Sequence, residues 1–191
     1  SALMMILFSP VFLIAAIGIK CTDRGPIFYK QERLTKDGKK FMIYKFRTMI
    51  VDAEKTSGPV LATDRDPRIL PIGRLLRATR LDELPQIVNI LKGEMSVVGP
   101  RPERPNLAAE IEKDVPEFGY RLKVKAGLTG YAQVYGKYNT TPYDKLKFDV
   151  TYIENYSLWL DVKIMLLTFK ILFQKENTEG VDETQQTALK E

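Results

Sequence analysis

The sequence predicts an α+β fold, mostly helical with one small β-hairpin or sheet, and three observations predict it. Leu81, Leu84, Val88 and Leu91 recur at three- and four-residue steps, the period of a helix with one apolar face. Aromatic and β-branched residues fill two short runs, Ile27-Phe28-Tyr29 and Phe41 to Arg47, and Asp37-Gly38 supplies a turn between them. Long apolar stretches stand near both ends of the chain, at residues 2–19 and 158–173. A length of 191 residues suits about one domain, and 45% hydrophobic residues are ordinary for a globular core.

Composition narrows the chemistry. The net charge of +5 favours an anionic partner. Histidine is absent, which removes His bases, Ser-His-Asp triads and most transition-metal sites. The single Cys21 excludes an internal disulfide and is expected to be a small buried residue. No zinc spacing, GxGxxG or Walker loop occurs, and no nucleic-acid-binding module stands behind the basic charge.

Residues 2–19 carry no charge and could nearly cross a hydrocarbon core of about 30 Å at 1.5 Å per residue. Ser9-Pro10 interrupts the run at its middle, and proline kinks a helix. A spanning helix and a re-entrant one, which dips into the bilayer and returns, both fit. No basic segment precedes the run, so a signal peptide fits less well. The run begins without flanking charge, which suggests that residues precede it. Lys20 and Arg24 follow, and cations beside a membrane segment favour the cytoplasmic side.

In the hairpin's second strand Ile43, Lys45 and Arg47 share a face, so two cations could reach a phosphate; a solvated face fits as well. Residues 52–71 read as an irregular loop. Its Asp64-x-Asp66 pair resembles a metal-nucleotide signature, although an Asx-turn before Pro67 is the better fit. Pro71 then opens a short helix, Ile72 to Arg80.

The stretch Arg77-Ala78-Thr79-Arg80-Leu81-Asp82-Glu83-Leu84-Pro85-Gln86 places two adjacent carboxylates just after two guanidiniums. Phosphoryl transfer uses such a set: a carboxylate attacks or holds a metal, and the cations neutralise phosphate. Pro85 is tolerated only in a helix's first turn, so a helix is expected to start near Asp82, where free N–H groups suit a phosphate. Asp82 as an ordinary helix N-cap is the competing reading.

Further along, in Lys92-Gly93-Glu94-Met95-Ser96-Val97-Val98-Gly99-Pro100-Arg101-Pro102, a short buried strand is expected to run into a rigid turn, whose prolines pre-set an arginine suited to phosphate oxygens; a surface turn is the competing reading. Residues 104–122 read as helical, with a break near Pro116. Gly127, Gly130 and Gly136 surround Thr129, Gln133 and Lys137, which suggests a loop of close backbone approach. Residues 142–156 read as a helix. Residues 158–173, apolar with spaced lysines and one Trp, fit either a helix in the membrane interface or a core helix. Residues 175–191 are polar and read as a flexible tail.

Taken in order, the Ser9-Pro10 run, Ile43-Tyr44-Lys45-Phe46-Arg47-Thr48-Met49, Leu81-Asp82-Glu83-Leu84-Pro85-Gln86, Val98-Gly99-Pro100-Arg101-Pro102 and Gly127-Leu128-Thr129-Gly130-Tyr131-Ala132-Gln133-Val134 resemble the bacterial sugar transferases, the monotopic phosphoglycosyl transferases. The resemblance extends to about residue 174. It implies a re-entrant membrane helix over residues 1–20, with Ser9 and Pro10 at its break, a catalytic domain over 21–174 with interfacial amphipathic helices, and the tail 175–191.

The resemblance also implies the transfer of a sugar 1-phosphate from a UDP-sugar to undecaprenyl phosphate, with release of UMP. The place implied is the cytoplasmic face of a bacterial inner membrane, among its lipids, as the first membrane step of surface glycan synthesis. Asp82 is implied as nucleophile, with Glu83 and Asp82 at magnesium. Lys45, Arg47, Arg77, Arg101, Gln133 and Lys137 are the residues expected at the phosphates and the nucleotide sugar. Lys137 stands where many members carry Arg, which keeps the charge and loses the bidentate fork. Nucleic acid is not an expected partner, and a homo-oligomer is compatible with the pattern. Two other functions remain in view: an Asp-x-Asp glycosyltransferase releasing UDP, and a non-catalytic membrane adaptor.

Overall fold

The computed structural model describes residues 2–53, 66–136 and 140–172. Asp64, Lys137 and the tail expected at 175–191 lie outside the described residues. The fold is α+β, mostly helical, with two small two-stranded sheets.

Helices α1 (Ala2–Leu7) and α2 (Ser9–Thr22) are separated at Phe8, whose backbone turns to φ −90°, ψ 3°. Ser9 Oγ donates to the Ile6 carbonyl at 2.8 Å. Pro10 stands in the first turn of α2, where its missing N–H breaks no ladder bond. The expected interruption at Ser9-Pro10 is therefore present as two helices. Among the described residues no helix is long and apolar enough to cross a membrane. Cys21 is exposed, contrary to the burial expected of it. It lies two residues past the buried Ile19, and a two-residue step along a helix turns a side chain away from the packed face.

Strands β1 (Phe28–Leu34) and β2 (Lys40–Phe46) form the hairpin. Its turn needs two residues with positive φ, and Asp37 (59°) and Gly38 (69°) provide them. β1 runs on through Lys30-Gln31-Glu32-Arg33, a polar stretch that local sequence does not mark as strand.

The chain divides into two compact units. The first takes Ser1–Tyr29 and Tyr44–Ile87, and includes the base of the hairpin. Its core is Ala15 and Ile19 of α2, Phe46 of β2 and Leu76 of α3 (Pro71–Ala78), with Phe12, Ile27, Ile72, Leu81 and Leu84 packed around them. Phe46 is sandwiched edge-on by Phe12 and face-on by Phe28. A short antiparallel contact, Met49 opposite Ile69, leads into α3. There Leu70 N–H donates to the Thr48 carbonyl at 2.9 Å.

The second unit takes Lys30–Ile43 and Val88–Phe173. Its centre is the parallel pair β3 (Ser96–Val98) and β4 (Gly127–Thr129), in register Ser96 to Gly127 and Val98 to Thr129. The crossover between them is α5 (Pro105–Asp114) and a 3-10 stretch, Pro116–Lys123, so the break expected near Pro116 is there. After β4 come α6 (Tyr131–Tyr135), α7 (Pro142–Glu154) and α8 (Leu158–Leu172). The fully buried Tyr152 of α7 donates its hydroxyl to Asp161 of α8 at 2.7 Å, and burial pushes the phenol's pKa up.

Backbone meets backbone where the sequence places glycines. A Cβ on Gly127 would lie 2.2 Å from Gly99 N. We expect Gly127→Ala to cost at least about 2 kcal/mol, since no rotamer relieves a clash with main chain. Gly38→Ala meets nothing within 4 Å and carries only the cost of positive φ, about 1 kcal/mol. Denaturant unfolding of both variants checks this ranking; equal losses would contradict it.

Candidate active site

Asp82 and Glu83 lie in a 3-10 turn, Leu81–Glu83, not in the first turn of an α-helix. The helix expected to start near Asp82 begins later, as α4 (Gln86–Leu91). The change of helix type shifts the phase of the apolar positions. Leu81 and Leu84 enter the first unit's core, while Leu91 is exposed and Ile87 is buried in its stead. At six residues α4 is too short, and starts too late, to present Asp82 with the helix N-terminus expected for a phosphate there. Asp82 also stands four residues ahead of Gln86, outside the N-cap position of α4.

The turn is set by Arg80, whose backbone takes the left-handed conformation, φ 57°, ψ 14°. For a residue with a Cβ this costs roughly 1–3 kcal/mol and marks a place where geometry is imposed. It reverses the chain after α3 and brings Asp82-Glu83 towards the base of β2. There Lys45 Nζ meets Glu83 Oε1 at 2.7 Å, in a pair of which both side chains are mostly shielded from solvent.

Asp82 has a different environment. Burial, and then the charge of Glu83, lift its carboxyl above the ordinary aspartate value, against the pull of Lys45, Arg77 and Arg80. Arg77 is part of the same field: burial lowers its pKa, while Asp82 and Asp66 raise it. Its Nε donates to Thr48 Oγ1 at 2.9 Å, which orients the guanidinium. Thr48 was not among the sequence-derived candidates, and a threonine in a short extended segment gives no sign of such a role.

Arg47 is placed differently from Lys45. Its side chain is 5% exposed; Nε donates to the Pro26 carbonyl, Nη1 to the Asp23 carboxylate and Nη2 to the Asp23 carbonyl. These bonds tie the end of α2 to the hairpin base. Its backbone N–H still donates to the Ile27 carbonyl at 2.9 Å, so the hairpin pairing runs on past Phe46 while Asp23 and the Pro26 carbonyl take up the guanidinium.

Asp66 accepts from the Arg68 backbone N–H at 2.9 Å, the Asx-turn expected ahead of Pro67, and from the Arg68 guanidinium at 2.6 Å. The guanidinium beside it holds its carboxyl below the usual range. That pairing occupies the one member of Asp64-x-Asp66 within the described residues.

In the second unit the Arg101 turn is held through its main chain. Pro100 O accepts from Gly127 N at 2.9 Å, Arg101 O from Arg121 Nη2 at 2.9 Å, Pro102 O from Arg33 Nη1 at 3.2 Å and Glu103 O from Leu34 N at 3.0 Å. Gln133 on α6 donates through Nε2 to the Leu128 carbonyl at 3.2 Å. Its Oε1 is buried with no hydrogen-bond partner among the described residues, an acceptor left for an incoming donor. Arg121 and Asp149, both buried and 2.8 Å apart, were not singled out by sequence reasoning. They lie 28 positions apart with no motif linking them.

For a metal, the donors at Asp82 and Glu83 are hard carboxylate oxygens, and the like charge of Glu83 already raises the Asp82 pKa. Such a pair suits magnesium, which takes one or two carboxylates and completes its shell with water and phosphate. Among the described residues no group of three or more His, Cys, Asp or Glu converges.

The profile of the bacterial sugar transferase family matches residues 1–175. The chain belongs to that family. It is 41% identical over 169 residues to the UDP-N-acetylgalactosamine-undecaprenyl-phosphate N-acetylgalactosaminephosphotransferase of Aeromonas hydrophila, covering 87% of this chain and 40% of that protein. It is 41% identical over 173 residues to the UDP-glucose:undecaprenyl-phosphate glucose-1-phosphate transferase of Klebsiella pneumoniae, covering 88% and 37%. The enzyme of that name from Caulobacter vibrioides is 39% identical over 184 residues, covering 93% and 68%. The chain thus spans about two fifths of the length of the first two relatives.

The raised pKa of Asp82 has a sign that can be tested. The folded protein keeps this proton to a higher pH than the unfolded chain, so stability falls as pH rises from about 3.8 to the elevated value, and the cost is complete above it. Asp82→Asn should remove that slope and be at least as stable as wild type at neutral pH. Unfolding midpoints across pH 3.5–8 check it, and the difference between the two proteins cancels other groups titrating in the same window. A variant clearly less stable at pH 7 would mean that the ionised carboxylate is held favourably.

Proposed function

We propose that this chain carries the catalytic step of a phosphoglycosyl transferase, moving a sugar 1-phosphate from a UDP-sugar to undecaprenyl phosphate. The observation that carries this reading is Asp82: a half-buried carboxylate amid Lys45, Arg77 and Arg80, with the neighbouring Glu83 already in an ion pair. Asp82 Oδ attacks the β-phosphorus; the bond from that phosphorus to the bridging oxygen breaks, its electron pair leaves with UMP, and a glycosyl-phosphoryl aspartate remains. An oxygen of the lipid phosphate then attacks the same phosphorus, and the aspartyl bond breaks to regenerate the carboxylate. No proton need be taken from the nucleophile, which agrees with a chain without histidine.

Lys45 holds Glu83 in place, and Arg77, oriented by Thr48, offsets phosphate charge. Arg101 and Gln133 are assigned to the donor's phosphates and nucleotide; Lys137 keeps the same assignment from its sequence position. Arg47, spent on Asp23 and Pro26, supports the hairpin base that carries Lys45. Asp82 and Glu83 would hold magnesium, which when bound supplies positive charge at the donor's diphosphate.

A membrane location is supported by exposed apolar side chains on the terminal helices. Ile6 is 72%, Leu158 81% and Trp159 77% exposed, with Leu13, Ile14, Leu166 and Phe169 also open. In water such faces are unfavourable by roughly 25 cal/mol per Å², whereas a bilayer interface accepts them. We assign α1 and α2, broken at Phe8, to a re-entrant segment at the cytoplasmic face of a bacterial inner membrane, and α8 to the interface. The Asp-x-Asp alternative has no supporting observation, because Asp66 is committed to Arg68.

A panel of UDP-glucose, UDP-galactose and UDP-N-acetylgalactosamine with undecaprenyl phosphate tests the reaction. The expected nucleotide product is UMP, and Asp82→Asn should lower its release by a factor of about a thousand or more. Intact-protein mass spectrometry with donor and no lipid should show an adduct on Asp82. UDP as the product, or full turnover by Asp82→Asn, would overturn the proposal.

A further inference from the structure

The turn Gly99-Pro100-Arg101-Pro102 cannot fix itself. Two of its residues have no N–H, so its carbonyls must be met by donors from elsewhere. Two of the four donors that meet Pro100 to Glu103 are backbone amides and two are guanidiniums. The guanidinium on the Arg101 carbonyl is unusual in its setting. Arg121 is 4% exposed, lies over the Phe118 ring at 4.7 Å and is paired at 2.8 Å with Asp149, which is 1% exposed. Glu103 stands 3.6 Å from its Nη1 and links onward to Arg33 at 3.8 Å.

A buried ion pair of this kind is poor value as glue, since desolvation cancels much of its attraction and apolar replacements are often as stable. What it supplies that an apolar pair cannot is a rigid donor at a fixed point. Arg121 uses one edge of its fork on Asp149 and on the Arg101 carbonyl alike, through Nη2. Fixing that carbonyl fixes the peptide plane after Arg101, and with it the direction in which the Arg101 side chain leaves the main chain.

We propose that Arg121 and Asp149 are positioning residues for Arg101: a buried charge pair that aims the arginine of the Pro-Arg-Pro turn at a phosphate. This rests on the assignment of Arg101 to the donor's phosphates. Asp149 orients Arg121, Arg121 holds the turn, and neither touches substrate. Arg33 performs the same service one carbonyl later, at Pro102.

The test is a double-mutant cycle on the full chain, using whichever UDP-sugar of the panel yields UMP. Its members are Arg101→Ala, the apolar pair Arg121→Met with Asp149→Leu, and all three changes together. Misaiming a ligand by about 1 Å should lower kcat/KM by tens-fold to about a hundredfold. We expect the apolar pair to unfold at or above the wild-type temperature, yet to lose kcat/KM on that scale. We also expect the triple variant to be no worse than Arg101→Ala, because the pair acts through Arg101 alone. Losses that multiply, or an apolar pair with wild-type kcat/KM, would overturn the positioning role. If Arg101→Ala itself retains wild-type kcat/KM, the phosphate assignment of Arg101 fails first, and that outcome is separate from the other two. Should the apolar pair not fold, Asp149→Asn, of similar shape, takes its place in the cycle with the same expectations for kcat/KM and with a lowered unfolding temperature, since it leaves the buried Arg121 without its counter-charge.

Discussion

The Lys45–Glu83 ion pair is the contact on which the site in the first unit depends. It joins the base of the hairpin to the turn after α3, and so decides which of two adjacent carboxylates is neutralised by a fixed cation. Glu83 has its partner; Asp82 sits in the field of several cations, with burial and Glu83 raising its pKa. Two identical functional groups one residue apart are thereby made chemically different, by the left-handed Arg80 and by where β2 ends. The core beneath serves that arrangement. Phe46, one residue past Lys45, packs with Leu76 of α3 and with Leu81 of the turn, so the strand and the turn are held by the same apolar cluster.

The second unit solves a related problem with main chain in place of charge. Gly99, Gly127 and Gly130 let β3, β4 and the turns beyond them approach more closely than any side chain would permit. The Arg101 turn and Gln133 therefore stand on backbone that is packed against backbone. Loops of this kind cannot drift by a rotamer change, which suits the phosphate-binding role proposed for these two residues. The buried Thr35, whose hydroxyl donates to Glu94 O at 2.8 Å and accepts from Ala126 N at 3.2 Å, closes the same unit from the hairpin side.

Much of this was legible in the sequence because it rests on local rules. Asp37-Gly38 gave the hairpin turn, Ser9-Pro10 the helix break, Pro116 the end of α5, and the glycines of 127–136 the close approach. The Asx-turn at Asp66 was legible from its side chain and the following proline. What could not be read was set by tertiary context. The period through Leu81, Leu84, Val88 and Leu91 looked like one helix, but a 3-10 turn changes its phase, and no local preference distinguishes the two. Arg47 was expected to share a phosphate-facing surface with Lys45, but Asp23 and the Pro26 carbonyl, both distant in sequence, take up its guanidinium. Arg121 and Asp149 lie in ordinary helical sequence; only the fold shows that both are buried and that one of them holds the turn of Arg101.

The elevated pKa of Asp82 runs against the role proposed for it, since a nucleophilic carboxylate must be ionised to attack. The two demands are compatible because the same term serves both. Burial raises the pKa by making the anion less well solvated, and a poorly solvated carboxylate is a better nucleophile once formed. The nearby cations limit the rise, and in the proposed reaction they are the groups that would offset the charge of an approaching phosphate. A fully exposed aspartate would be ionised and sluggish, and a fully buried one without cations would be neutral. The half-buried position between Lys45, Arg77 and Arg80 lies between those limits, and it is reached without a histidine to take or give a proton.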